Sequence, residues 1–268
     1  MKHLRFYVNA AKPRAQSYLA ELQTLARSKG FEVVEDDSAE VIVSLGGDGT
    51  ILRAVHEFQG LPILGLNLGG LGYLATVEEK DFEAAFCKLA AGEYRISRRS
   101  VIEVRKAGAE TGAARALNDV VVTQAMSGHA ARLDLAVDGR LATRYMADGL
   151  ILATPTGSTA YSLAAGGPVL MPDTACFVIT PMSPHALGVR PMVVRDSSRL
   201  SVTSRRRDDG NAEQIAVYAD GELAFSLEAG ETAEIVRSPV TAAMVELEGF
   251  DPCETLARKL GWSGSNVR

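Results

Sequence analysis

The sequence predicts an α/β domain followed by an all-β, sandwich-like domain, α/β plus all-β in one chain. Three observations carry this. Up to about residue 94, short apolar runs alternate with amphipathic helical stretches, as in a mostly parallel sheet covered on both faces. Beyond Tyr94 the runs become short and alternating, with turn signals between them. The tail then returns to helix.

In order, Leu4 to Val8 reads as a strand, and Pro13 to Lys29 as a helix with Leu19, Leu22, Leu25 and Ala26 on one face, closed by Gly30. Phe31 to Val34 and the apolar run Val41 to Leu45 follow as strands, then a helix through Ile51 to Phe58, a strand Pro62 to Leu66, and a helix Asp81 to Ala90. The second half offers strands at Val101–Val104, Val120–Thr123, Leu133–Val137, Leu150–Ala153, Phe177–Thr180, Leu200–Thr203 and Ile215–Tyr218. Asp138-Gly139 and Asp220-Gly221 are the expected hairpin turns. At Asp251-Pro252-Cys253-Glu254 an N-cap, a first-turn proline and a capping-box acid announce a last helix, with Leu256, Leu260 and Trp262 as its apolar face.

Composition narrows the function classes. At 268 residues the chain fits one or two domains; 47% hydrophobic and 23% charged residues suit a soluble protein, with no apolar run near the length of a membrane span. The first residues read as a strand rather than a secretory leader, so a cytoplasmic address is expected. A net charge of −5 argues against a nucleic-acid partner. The only basic run, Arg205-Arg206-Arg207, adjoins Asp208-Asp209-Gly210-Asn211 and reads as a solvated hairpin tip. Cys87, Cys176 and Cys253 show neither metal-ligand nor disulfide spacing and are expected to be reduced and inert. His3, His56 and His129 show no metal spacing either.

The strongest chemical signal is Leu45-Gly46-Gly47-Asp48-Gly49-Thr50, where a buried strand ends and a helix begins. Glycines there let main-chain N–H groups approach an anion, and the helix N-terminus favours a phosphate. No lysine follows, so the loop is not a Walker loop, and neutralisation would fall to a divalent ion carried by a nucleotide. Asp48 can take a proton from an attacking hydroxyl or hold it in line; the plainer reading makes it a helix cap. A second cluster, Gly65 to Ala75, contains a Gly-x-Gly-x-x-Ala string that matches a dinucleotide fingerprint only weakly. The third runs from Asp148 through Thr154-Pro155-Thr156-Gly157-Ser158-Thr159-Ala160-Tyr161-Ser162 to Gly166-Gly167-Pro168. Its hydroxyls and amides suit a ribose or a phosphate, and equally a well-capped structural turn.

The Gly-Gly-Asp-Gly-Thr loop, Asn118-Asp119, the Asp148 to Ser162 segment and Pro181-Met182-Ser183-Pro184-His185-Ala186-Leu187 with Arg190-Pro191 occur in an order and approximate spacing that resemble the NAD kinase family. The resemblance spans roughly residues 40 to 225. It implies a Rossmann-like nucleotide domain over 1–94, rejoined by 240–268, and a β-rich NAD-binding domain over 95–239, with the active site in the crevice between them. It also implies ATP, or inorganic polyphosphate, as phosphoryl donor to the 2′-hydroxyl of the adenosine ribose of NAD, with Mg²⁺, and a homodimer or homotetramer. Carried over, Asp48 is the proton acceptor, and Gly46, Gly47, Gly49 and Thr50 shape the phosphate site. Asp48, Gly49, Asn67, Asn118, Asp119, Asp148, Thr159, Ala160, Tyr161, Ser162 and Ala164 surround NAD.

Two positions depart from the family pattern: Asp119 stands where glutamate is usual, and Ala164 where serine is frequent. His185 is expected to order its loop, and Asp220 to shape its turn. Diacylglycerol-type lipid kinases and phosphofructokinases share the Gly-Gly-Asp-Gly string, and a non-catalytic NAD(P)-binding regulator is the third reading. The long Thr-Pro-Thr-Gly-Ser-Thr segment favours an NAD kinase, and an intact Asp48 favours catalysis.

Overall fold

The computed structural model describes residues 1–9, 13–69, 72–125, 130–206 and 214–262. The tip at Arg207 to Asn211 and His129 lie outside the described residues. The chain folds as two compact units, one of Met1–Arg98 with Ala242–Arg268 and the other of Arg99–Thr241.

The first unit begins with β1 (His3–Val8), α1 (Pro13–Ser28), β2 (Glu32–Val33), β3 (Val41–Leu45), α2 (Asp48–Glu57), β4 (Ile63–Asn67), β5 (Val77–Glu78), α3 (Phe82–Ala91) and β6 (Tyr94–Arg99). Both β3 and β4 are buried along their whole length, which is why they read as unbroken apolar runs rather than alternating ones. α3 buries Phe82, Ala85, Phe86 and Leu89, the three-and-four spacing of one helical face. Gly30, at φ 90°, takes the left-handed position after α1.

The second unit holds β7 (Ile102–Lys106), β8 (Ala114–Ala116), β9 (Asp119–Gln124), β10 (Ala131–Val137), β11 (Arg140–Ala147), β12 (Gly149–Ala153), the short helix α4 (Tyr161–Ala164), β13 (Cys176–Met182), β14 (Met192–Arg195), β15 (Leu200–Ser204), β16 (Ile215–Ala219), β17 (Glu222–Leu227) and β18 (Thr232–Arg237). The chain then returns to the first unit as β19 (Ala242–Leu247) and α5 (Pro252–Leu260).

In the first unit's sheet the order is β2-β1-β3-β4-β19-β6, with β5 beside β4. β1, β2, β3, β4, β5 and β19 are linked by parallel pairings. The order turns back at β1, so the carboxyl ends of β1 and β3 flank a topological switch point, where open α/β sheets take their ligands. The Gly46–Gly49 loop leaves β3 at that place.

The second unit is a sandwich of two six-stranded sheets, β11-β10-β15-β18-β7-β8 and β14-β13-β12-β9-β16-β17. Leu133, Leu135, Val202 and Ile235 from one sheet and Val120, Leu150, Leu152, Phe177 and Val217 from the other share one core. β12 departs from alternation because its second face is also covered: Ile151 and Ala153 pack with Val121, Val178, Ala165 and Leu170. Asp138-Gly139 and Asp220-Gly221 turn between paired strands with positive φ at both residues, as expected.

Two local expectations change. Asp251 does cap α5, but through the Cys253 N–H at 2.8 Å, one residue short of the capping-box position. Trp262 is 57% exposed and does not extend the apolar face on which Leu256 is buried.

Candidate functional site

In the first unit the site grows from the exit of β3. Gly46 N–H donates to the Leu66 carbonyl at 2.9 Å, tying the ends of β3 and β4 together. The N-cap of α2 is Gly47, so Asp48 is the first helical residue and its side chain does not cap the helix. Its carboxylate turns instead to the second glycine cluster. Oδ2 accepts from Tyr73 N–H at 2.6 Å, and Oδ1 from Leu74 N–H at 2.9 Å and Ala75 N–H at 3.1 Å.

Gly72 makes this approach possible, because a Cβ there would collide with Asp48 Oδ1. The second cluster is thus a cradle for a carboxylate rather than a dinucleotide fingerprint. A carboxylate offers about four lone-pair directions. Among the described residues three are taken, which leaves one on Oδ2. The first-turn N–H groups of Asp48 and Gly49 have no carbonyl ahead of them in the helix and remain suited to an anion.

Thr50 and Asn67 stand behind this surface. Thr50 is buried with its side chain against Gly46, and Asn67 is buried with Oδ1 accepting from Gly69 N–H at 3.0 Å. Thr50 thus braces the glycine loop it was expected to shape, and Asn67 braces the start of the second glycine cluster.

In the second unit the centre is the turn into β9. Asp220 accepts from three successive amides, Leu117 at 2.7 Å and Asn118 at 2.8 Å and Asp119 at 3.2 Å, from a backbone with φ 48°. Asn118 O accepts from Thr154 N–H at 2.9 Å, and Gly157 lies so close that a Cβ would collide with the Asn118 carbonyl. The Asn118-Asp119 pair and the Thr154–Thr159 turn are therefore packed together, the latter closed by Thr159 Oγ1 donating to Thr156 O at 3.0 Å. Asp119 is buried, and burial first, then the neighbouring Asp220 charge, pushes its carboxyl up to about 7.

Ala160 is half-buried, and Tyr161 and Ala164 are exposed beyond this turn. Ser162 is buried, and its hydroxyl is bonded to Thr180 Oγ1 at 2.8 Å. Asp148 stands apart from this turn. Asp119 pairs with Ala153 at one end of β12, whereas Asp148 precedes Gly149 at the other, about 17 Å away at about 3.4 Å per residue. Asp148 and the Asn118-Asp119 turn thus do not form one cluster within this unit. His185 is exposed, and its backbone N–H bonds Met146 O at 2.9 Å. Among the described residues, no three or more His, Cys, Asp or Glu gather as a metal site.

A doubly wound sheet with a glycine loop at its switch point, joined to a β-sandwich, defines a protein of the nucleotide-handling α/β class. The comparisons make this particular. The sequence model of the ATP-NAD kinase N-terminal domain matches residues 2–94, and that of the ATP-NAD kinase C-terminal domain matches residues 117–247. An NAD kinase of Syntrophotalea carbinolica is 32% identical, the match covering 98% of this chain and 99% of the relative. An NAD kinase of Gemmatimonas aurantiaca is 38% identical over 90% of this chain and 83% of its own.

Among solved structures, an NAD kinase from Archaeoglobus fulgidus in complex with ATP superposes with a TM-score of 0.80 at 26% identity, covering 98% of this chain and all of its own. Yeast NADH kinase complexed with NADH reaches 0.88 at 24% identity over 100% of this chain and 89% of its own, a likeness of fold. The chain belongs to the NAD kinase family. Membership at both domains sets aside the lipid-kinase and phosphofructokinase readings.

Proposed function

We propose that the protein phosphorylates NAD, transferring the γ-phosphoryl group of ATP to the 2′-hydroxyl of the adenosine ribose to give NADP and ADP. The observation that carries the assignment of residues is the Asp48 carboxylate, immobilised by three amides at the exit of β3 with one acceptor direction left on Oδ2. The ribose hydroxyl donates to that position, its oxygen attacks the γ-phosphorus, and the proton passes to Asp48 as the bond to ADP breaks. Transfer through a loose transition state depends on such positioning and on charge neutralisation more than on a strong base.

The loop of Gly46, Gly47 and Gly49 lies at the helix N-terminus that receives the donor's phosphates. A divalent cation, Mg²⁺, arrives with the nucleotide and offsets its charge. Asn118 and Asp119 recognise the adenosine side of NAD, with the Tyr161 ring as an adjoining face. ATP is the donor, consistent with the ATP complex of the archaeal relative; polyphosphate is the alternative donor to be assayed.

Purified protein with NAD, ATP and Mg²⁺ should form NADP, and Asp48→Asn should lower kcat by about 10²–10⁴-fold in a protein that still folds, its melt lowered by roughly 4–8 °C or less because the new amide nitrogen cannot accept from a main-chain N–H. Wild-type turnover in that variant would remove Asp48 from its role. Asn118→Ala should raise the KM for NAD. No helix among the described residues is long and apolar enough to cross a membrane. The edge strands β11 and β14 expose Leu141, Met146 and Val193, which supports a homodimer or homotetramer, measurable by sedimentation.

A further inference from the structure

The positive charge that the glycine loop lacks comes from the far end of the sequence. α5 belongs to the first unit, and its last turn is fixed by Arg258, whose guanidinium meets Glu78 Oε1 at 2.9 Å, and by Gly261 in the left-handed conformation. Between them Lys259 turns inward. Its Nζ lies 3.5 Å from the centroid of the Tyr73 ring, is enclosed, and has no hydrogen-bond partner among the described residues.

An ammonium carries three donors, and enclosing them without partners is costly. Two features offset that cost: the electron-rich face of Tyr73 and the negative charge of Asp48. Burial is the larger influence on the amine and pushes it down to about 8; Asp48 pulls it back up, and Arg258 opposes it. Lys259 therefore stays charged at neutral pH. Tyr73 serves both partners at once, its N–H bonding Asp48 Oδ2 and its ring lying against the ammonium. An apolar residue of similar volume would fill the space with no such penalty, so adhesion alone does not account for a lysine here.

We propose that Lys259 is the positioning residue of Asp48. Through the Tyr73 ring it holds the Gly72–Ala75 segment, and with its charge it keeps the carboxylate in place when a donor's phosphates bring further negative charge to the loop. The inference rests on the reading of Asp48 given above, and its test separates the two.

Nitrogen NMR of the lysine side chains, titrated in the wild type and in Asp48→Asn, reads the pair without reference to catalysis. The Lys259 midpoint should fall in Asp48→Asn, because the neighbouring negative charge is gone; the facing titratable groups are Asp48 and Tyr73, with Arg258 on the same helix. An unchanged midpoint overturns the proposal. A shifted midpoint accompanied by wild-type NADP formation in Asp48→Asn instead overturns the assignment of Asp48.

In kinetics, Lys259→Met should lower kcat about ten- to a hundredfold with both KM values within about twofold, the signature of displaced reacting groups rather than lost binding. Lys259→Arg, which keeps a charge that stacks on an aromatic ring, should restore most of kcat. Wild-type kcat in Lys259→Met, equal loss in both variants, or a loss that merely follows a lowered melting temperature would each sink the idea.

Discussion

The loop around Asp48 in the first unit and the turn around Asp220 in the second are built with the same device. Each centres on a carboxylate that accepts from three successive main-chain amides, at residues 73–75 in one and 117–119 in the other. Their neighbours differ. Asp48 lies within electrostatic reach of a cation, Lys259, whereas Asp220 stands beside a second carboxyl group, Asp119. Anchoring by amides shapes a loop in both cases; the charge next to the anchor decides what the loop can do. Beside a cation the carboxylate can serve as a proton acceptor, and beside another carboxylate it helps burial raise the Asp119 carboxyl.

That contrast can be broken by substitution. The largest effect on stability is expected at the second turn: Asp220→Ala strands three amide donors and should cost about 2–4 kcal/mol in urea unfolding, with NADP formation falling through a raised KM for NAD. A loss below about 0.5 kcal/mol would show that the turn holds itself without the carboxylate.

Next is the pH dependence of Asp119. An unfolded aspartate titrates near 4, and the folded group near 7, so between these values the folded state binds the extra proton. Stability contributed by this group is fully present below about pH 4 and declines as pH rises towards about 7. Asp119→Asn should therefore gain on the wild type from pH 5 to pH 8 by on the order of a few kcal/mol; parallel urea curves at the two pH values would refute the raised Asp119 carboxyl.

A smaller effect is expected at Gly72→Ala, about 1–3 kcal/mol, because the carboxylate it meets can move where a backbone could not. Its kcat should fall more than its stability. Gly157→Ala faces the Asn118 carbonyl instead, and should show the reverse order, stability before kcat. The smallest is Arg258→Ala, whose partly exposed pair with Glu78 contributes no more than about 1 kcal/mol, measured by thermal melt.

Much of the architecture was readable because its determinants are local. The run Val41 to Leu45, the stop at Gly30 and the Asp-Gly turns each depend on residues within a few positions of one another. The glycine loop was visible for the same reason. What stayed hidden joins distant positions: Asp48 with Tyr73 to Ala75, Ser162 with Thr180, Asp220 with Leu117 to Asp119 about a hundred residues earlier, and Lys259 with Tyr73.

Asp148 shows the converse relation. It shares a family-like segment with the Thr154–Thr159 turn, yet an extended strand separates the two, so nearness in sequence did not mean nearness in space. The sole local hint of the carboxylate cradle was the density of glycines between Gly65 and Gly72, which signalled close approach without naming what approaches.

The position of β19 between β4 and β6 has a consequence for biosynthesis. A ribosome releases residues 1–98 long before 242–247, so the first sheet waits with a gap while the intervening sandwich emerges and can close first. The segment made earliest is finished last, and a chain cut short before Ala242 would leave two unsatisfied strand borders ready to capture another polypeptide.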